Sequence, residues 1–374
     1  MIYFIIKLGL LFLNFIYLFF KLLPVRHKVS FISRQSNAVN SDFVMLADRL
    51  KKEDSTVETV FLCRTLDGGI LNKIRYAFHM LTQMYHIATS EVVVLDTYCI
   101  AVSCLHQRKS LKVLQMWHAL GCLKRFGFSI LDKGEGSSDT LARAMHMHEG
   151  YTKVLCSAER CAEPFAEAFN VSRDKMYVCP LPKVDTLRSE SYRRDLRERI
   201  LQAHPQLKEK KNILYVPTFR KEETEFISQL QRLIEKVDYS KYNLIVKLHP
   251  VSKAEVHDDR VITDRRFSSQ QFAAVADYVI TDYSAIVYEM ALMDVPMYFW
   301  CFDKEEYVNN RDFYSSYEDL PGAKCMTVED LLKAIDEEKS DMTTLKQFRD
   351  EFISPEVTDC TGKLAELILS WMKR

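Results

Sequence analysis

The stretch EVVVLDT, residues 91–97, sets Val92 to Leu95 in an unbroken apolar row and then stops at an aspartate. A strand with one face in water alternates apolar and polar side chains. One that is apolar at every position is covered on both faces, as in a parallel sheet between helices. Working outward, KVSFISR (28–34), VETVFLC (57–63), LKVLQMW (111–117), KVLCSA (153–158) and KMYVC (175–179) read the same way. Helical patterns separate them. SDFVMLADRLKK (41–52) is capped by Ser41 and puts Phe43, Leu46, Ala47 and Leu50 on one face. Further helices are expected over 70–86 and 159–169. PLPKVD (180–185) breaks the alternation with two prolines, and a charged helix over 189–203 and HPQLKEKK (204–211) follow.

The alternation then restarts. Strands are expected at NILYVPT (212–218), YNLIVKLHP (242–250), DYVIT (277–281) and VPMYFWC (295–301). Helix 223–237 carries Phe226, Leu230, Leu233 and Val237 in one stripe, and helices over 284–293, 327–337 and 359–373 complete the series. The fold class is therefore α/β, with two doubly wound parallel-sheet domains, 28–188 and 189–374. The last helix is free to pack back on the first domain. Two such domains facing each other would leave a cleft between their strand carboxyl ends, where these sheets bind ligands.

The totals narrow the function. A chain of 374 residues has room for two cores. Lys plus Arg and Asp plus Glu are 51 each, so no global charge points to nucleic acid, and any anion site is local. The 10 cysteines include no CxxC pair and read as small core residues of a reducing compartment. MHMHEG (145–150) offers two histidines to a metal, against the plainer reading of a helix end or loop. There is no Walker A, GxGxxG or DxD-like pair, so no cofactor and no metal are expected. A homo-oligomer is compatible with the composition.

Residues 1–24, MIYFIIKLGLLFLNFIYLFFKLLP, are nearly all apolar, with polar breaks at Lys7, Asn14 and Lys21. Spacing of seven returns each break to one narrow face. Residues 1–27 are thus expected to form a membrane-associating helix, lying in the interface in preference to spanning it. Lys7, Lys21, Arg26 and Lys28 would hold an anionic membrane surface on the cytoplasmic side. The other reading is a buried helix of the globular core.

Four stretches fall where chemistry belongs. In QMWHALGCLKRFG (115–127) a strand ends at His118. Gly121 leaves room for a ligand, and Lys124 and Arg125 are near. An imidazole with a reference pKa of about 6.5 can take a proton from a hydroxyl; a structural histidine bonding a loop carbonyl is the alternative. In VKLHP (246–250) His249 ends a second strand, while Lys247 alternates to the opposite face. In VITDYSAIVYEMAL (279–292) Thr281, Asp282 and Ser284 lead into a helix whose amino end suits phosphate, and Glu289 could accept from ribose or form a buried ion pair. In VPTFRKE (216–222) Arg220 offers a fork to a diphosphate, or a surface salt bridge.

These stretches together resemble the CDP-glycerol glycerophosphotransferase family of teichoic acid synthesis, from about Val29 to the last helix. The likeness is strongest in WHALGCLKRFGF, YVPTFR, LHP and a block from Val279 to Gly322. That block holds Asp282-Tyr283-Ser284, Pro296, Asp303, Glu306-Tyr307, Phe313-Tyr314 and Leu320-Pro321-Gly322 in order. The resemblance implies a GT-B-like fold at the cytoplasmic membrane face. It implies transfer of a polyol phosphate from CDP-glycerol or CDP-ribitol to an undecaprenyl-diphosphate-linked saccharide. His118 and His249 match the family's two essential histidines; the Thr281–Ser284 turn matches its nucleotide site. His118 would accept the acceptor's proton, the oxygen would attack the β-phosphorus, and CMP would leave with help from His249. Arg220, Lys247, Thr281, Asp282, Ser284, Glu289, Lys124 and Gly121 make up the expected substrate-binding set. Many members read His-Gly-Thr-Pro where this chain has His118-Ala119-Leu120-Gly121, and have a second serine at Ala285. One GT-B unit with an anchor resembles the primases more than the long polymerases. The competing readings are a GT-B glycosyltransferase and a membrane-bound nucleotide-binding module without turnover.

Overall fold

Six strands, β1 (Arg26–Ser33), β2 (Glu58–Cys63), β3 (Ser90–Leu95), β4 (Lys112–Gln115), β5 (Lys153–Cys156) and β6 (Met176–Val178), form one sheet in the order β2-β1-β3-β4-β5-β6. Every pairing in it is parallel. The computed structural model describes residues 2–66, 68–133, 136–304 and 312–372. Phe31 lies across from Phe61 and Val94, and its ring is 5.2 Å from that of Phe61. The apolar row Val92 to Leu95 is the body of β3 and is completely buried. The chain leaves β1 for β2 on one side and returns to β3 on the other. The strand order therefore reverses between β1 and β3, and a crevice opens there at their carboxyl ends.

The second sheet contains β7 (Lys211–Tyr215), β8 (Tyr242–Val246), β9 (Val261–Ile262), β10 (Tyr278–Thr281), β11 (Met297–Trp300) and β12 (Gly322–Cys325), in the order β12-β11-β10-β7-β8-β9. Its reversal lies between β7 and β10. One side is sealed by helix Thr224–Lys236, which presents Phe226, Leu230, Leu233 and Ile234 to a core holding Tyr215, Tyr298 and Trp300.

The chain divides into two units. The first holds residues 1–120, 125–185 and 354–374, and the second holds 121–124 and 186–353. Residues 121–124 join the second unit through main-chain bonds: Lys124 bridges Phe313, and Tyr314 N–H donates to Leu123 O at 3.0 Å. The last helix, Cys360–Met372, belongs to the first unit. Asp185 caps its amino end by accepting from the N–H groups of Cys360 and Thr361, each at 2.8 Å.

Several local expectations are corrected. Asn40, not Ser41, caps helix Ser41–Glu53, because its Oδ1 accepts from Phe43 N–H at 2.8 Å. The helix expected over 284–293 is only Val287–Leu292, preceded by a turn. Glu306 and Tyr307 lie outside the described residues.

The amino-terminal helix, Ile2–Phe20, has the expected amphipathicity, but part of its polar side is turned to the protein and not to water. Asn14 Nδ2 donates to Cys104 O at 3.1 Å, His106 N–H donates to Asn14 Oδ1 at 2.7 Å, and Lys21 Nζ donates to His106 O at 2.8 Å. Tyr17 is buried and donates to Gln107. Leu8, Leu11, Phe12, Phe15, Leu18 and Phe19 are instead exposed. The adjoining helix Ile70–Ala88, whose Tyr85 ring meets Phe20 at 6.3 Å, also displays Ile70, Leu71, Ile74 and Phe78. Lys28 is not a membrane cation: it is fully buried, with Nζ 2.6 Å from Thr89 Oγ1. Arg26 pairs with Glu58 at 3.0 Å, and Lys7 is exposed. Among the described residues no helix is long and apolar enough to cross a membrane.

Candidate active site

In the first unit the polar groups gather at the carboxyl ends of β1, β3 and β4. His118 is aimed by a strained turn. Trp117, the residue before it, has φ +61°, a left-handed conformation that a bulky side chain occupies at a cost of roughly 1–3 kcal/mol. The indole stacks on Phe126 at 5.0 Å and lies 4.1 Å from the imidazole. His118 Nδ1 is 3.0 Å from the main-chain carbonyl of Asp96. A carbonyl only accepts, so Nδ1 carries the hydrogen and Nε2 is left with its lone pair. The Gln35 amide nitrogen lies 3.0 Å from Nδ1 and 3.2 Å from Nε2, and with the hydrogen on Nδ1 it donates to Nε2. His118 is exposed, yet the protein packed around it still partly desolvates the ring. That desolvation lowers its pKa, the Asp96 carbonyl opposes the shift, and the nearby Lys183 charge adds to it. The result is a neutral imidazole with Nε2 as its acceptor nitrogen, the state a general base needs once the Gln35 amide moves aside.

The Asp96 carboxyl is buried beside it. Burial pushes its pKa up to about 6, against hydrogen bonds led by those of Ser33 and Thr97, with Asn40 Nδ2 donating at 2.8 Å. Gln35, Asp96 and Lys183 were not among the residues the sequence singled out. Only Asp96 carried a signal, as the residue that ends β3.

In the second unit His249 lies in a turn closed by Ser252 N–H donating to its carbonyl at 2.9 Å. Val251 N–H approaches its Nδ1 at 3.4 Å, a weak contact that leaves Nε2 facing away from the turn's main chain. Glu223 fixes this turn by accepting from Ser252 Oγ and from Lys253 N–H. A shallow depression lies beside the ring, lined by Thr218, Phe219, Arg220, Glu223 and Ser252 among others; it is too small to enclose a nucleotide.

The rest of the expected binding set is redistributed. Arg220 is not an open fork. It is buried, with Nε 2.9 Å and Nη2 3.1 Å from the Asp303 carboxylate and Nη1 2.5 Å from Asp282. Asp282 also accepts from Thr218 N–H and Oγ1, so this ion-pair cluster ties the ends of β7 and β10 together. Thr281 spends its hydroxyl on Val216 O at 2.9 Å. Lys247 Nζ donates to the carbonyls of Asp264 and Phe267 at 2.5 and 2.7 Å. Gly121 makes room for a side chain and not for a ligand: a Cβ there would lie 2.1 Å from the Tyr288 ring. Lys124 is half-buried beside the Phe313 bridge, and Glu289 is half-buried on helix Val287–Leu292. Ser284 is partly exposed on the turn before that helix. Its hydroxyl oxygen accepts from Ile286 N–H at 3.4 Å, which leaves the hydroxyl hydrogen to donate.

Two parallel α/β sheets, each with polar side chains at the carboxyl edge near its strand-order reversal, define a GT-B-like transferase fold. The wall teichoic acid polymerase TagF superposes with a TM-score of 0.75 over 99% of this chain and 97% of that one, at 16% identity. The chain belongs to the CDP-glycerol:poly(glycerophosphate) glycerophosphotransferase family, whose model matches residues 15–370. It is thereby a polyol-phosphate transferase of teichoic acid synthesis. It is 31% identical to a teichoic acid ribitol-phosphate primase of Bacillus spizizenii over 94% of this chain and 93% of that protein. It is 29% identical to a teichoic acid poly(ribitol-phosphate) polymerase of the same organism, over 98% of this chain but 59% of that protein.

Proposed function

We propose that the protein transfers ribitol phosphate or glycerol phosphate from the CDP-alcohol to a hydroxyl of an undecaprenyl-diphosphate-linked saccharide, releasing CMP. His118 Nε2 takes the hydroxyl proton. The oxygen attacks the β-phosphorus, the new P–O bond forms, and the bond to the bridging oxygen breaks. His249 donates to the departing phosphate, and the Ser284 hydroxyl helps hold the diphosphate. Positioning and charge neutralisation supply the catalysis, and the reaction needs no metal ion. The observation that carries this reading is the Asp96 carbonyl 3.0 Å from His118 Nδ1. The relative matched along nearly the whole of both chains is a ribitol-phosphate primase, so CDP-ribitol and a single addition are tested first.

The protein works at an anionic membrane surface. The outward apolar faces of helices Ile2–Phe20 and Ile70–Ala88 support this.

The test supplies CDP-ribitol, CDP-glycerol or a UDP-sugar together with a synthetic undecaprenyl-diphosphate saccharide, in EDTA. The expected result is CMP together with an acceptor heavier by one polyol phosphate. UDP release with a glycosylated acceptor would replace this reading with glycosyl transfer. Saturable CDP-alcohol binding without any product would replace it with a binding module.

A further inference from the structure

We infer that Gln115 is a positioning residue for His118, an inference that rests on the general-base reading above. Gln115 is the last residue of β4 and is fully buried. Its carboxamide makes three bonds. Nε2 donates to the Thr97 carbonyl at 3.0 Å and to the Tyr151 hydroxyl at 3.1 Å, while Oε1 accepts from Trp117 N–H at 3.0 Å.

Two of these bonds bear on the imidazole. Trp117 is the left-handed residue that aims His118, and the Gln115 oxygen holds its N–H in that conformation. Thr97 follows Asp96, whose carbonyl holds the hydrogen on Nδ1. The amide thus fastens the two chain segments that orient the ring, one before it in sequence and one facing it. Tyr151 backs the arrangement: its hydroxyl accepts from Gln115 and lies 2.9 Å from His148 Nδ1. The position demands one acceptor and two donors in a single plane. Glutamate lacks the donors, methionine lacks both, and asparagine is one methylene short.

The test compares Q115M, Q115E, Y151F and H118A in the full chain. Q115M is expected to lower kcat by about thirtyfold or more, the scale of a displaced catalytic group, with KM for the CDP-alcohol within about twofold. Y151F removes one bond of the same network without touching Trp117 or Thr97, so it lowers thermal stability but keeps kcat within about twofold. Nitrogen-15 NMR of histidine-labelled protein is expected to show His118 protonated on Nδ1 in the wild type and a mixture of tautomers in Q115M. If Q115M does not fold, Q115E keeps the shape and the Trp117 acceptor, and a kcat loss with unchanged KM in that variant supports the inference equally. Wild-type kcat in Q115M or Q115E, or an equal kcat loss in Y151F, overturns the inference. Near-normal turnover in H118A would instead end the general-base reading, and the tautomer measurement would still decide whether Gln115 places the ring.

Discussion

The main-chain carbonyl of Asp96 lies 3.0 Å from Nδ1 of His118 and so decides which ring nitrogen is basic. No side-chain carboxylate makes this contact. The main-chain group that orients the imidazole therefore does not itself titrate, although the Asp96 carboxyl, raised to about 6, does so beside it.

The acid limb of kcat/KM follows from this. Crowding lowers the His118 pKa first, the bond to Asp96 raises it, and the Lys183 cation lowers it again, for a net fall below 6.5. A base works when neutral, so the rate falls as pH drops through that lowered value. Lys183→Ala removes a like charge, raises the pKa, and moves the limb towards higher pH. Rate profiles of both proteins between about pH 5 and 8 measure this. A limb that stays put or moves down in the variant rules out Lys183 as a neighbour of the base.

A second histidine couples folding to pH. His148 is buried behind Trp117, and desolvation lowers its pKa to about 4. The unfolded chain takes up this proton near 6.5 and the folded chain does not. Stability is therefore unaffected above 6.5 and declines as pH falls from there towards 4, by about 3 kcal/mol in all. His148→Phe removes this component. Its Tm is expected to fall less than that of the wild type between neutral and acidic buffer; parallel Tm curves would contradict the assignment.

The strand and helix series was legible because both sheets are built from runs that are apolar on every residue, as in Val92 to Leu95 and Leu244 to Val246. Strands β9 and β12 were not. One has two residues and the other is Gly-Ala-Lys-Cys, so neither presents an apolar run. His118 and His249 were legible as polar residues that follow apolar strands, each three residues past the strand's end. The state of Arg220 was not, because the carboxylates that neutralise it lie 62 and 83 residues further along the chain. Spacing within a motif cannot report a partner at that distance. For the same reason Gly121 read as space for a ligand, when the Tyr288 ring fills that space.

The Arg220 cluster separates holding from clamping. If Arg220 acts by tying Asp303 and Asp282 together, Asp303→Ala breaks the same buried ion pair and reproduces the effect of Arg220→Ala. Each variant is expected to lose roughly 3–5 kcal/mol of stability, with weaker CDP-alcohol binding because the turn slackens. If Arg220 instead grips the diphosphate, Asp303→Ala frees the guanidinium and donor affinity holds or improves. Thermal denaturation and calorimetric titration with the CDP-alcohol distinguish the two.

Membrane attachment is expected to be mainly hydrophobic. Leu11, Phe15 and Phe19 are 69%, 57% and 59% exposed on helix Ile2–Phe20, whereas Lys28 is buried and Arg26 is paired with Glu58. Replacing these three apolar residues with serine forfeits about 1.5 kcal/mol each, or roughly a thousandfold in partitioning to phosphatidylglycerol vesicles. The fold is expected to survive, since the contacts that seat the helix come from Asn14, Tyr17 and Lys21 on its other side. Raising the salt screens the few exposed cations and is expected to weaken binding of the wild type only slightly. A triple variant that still sediments with vesicles, or wild-type binding abolished by salt, would assign the attachment to charge.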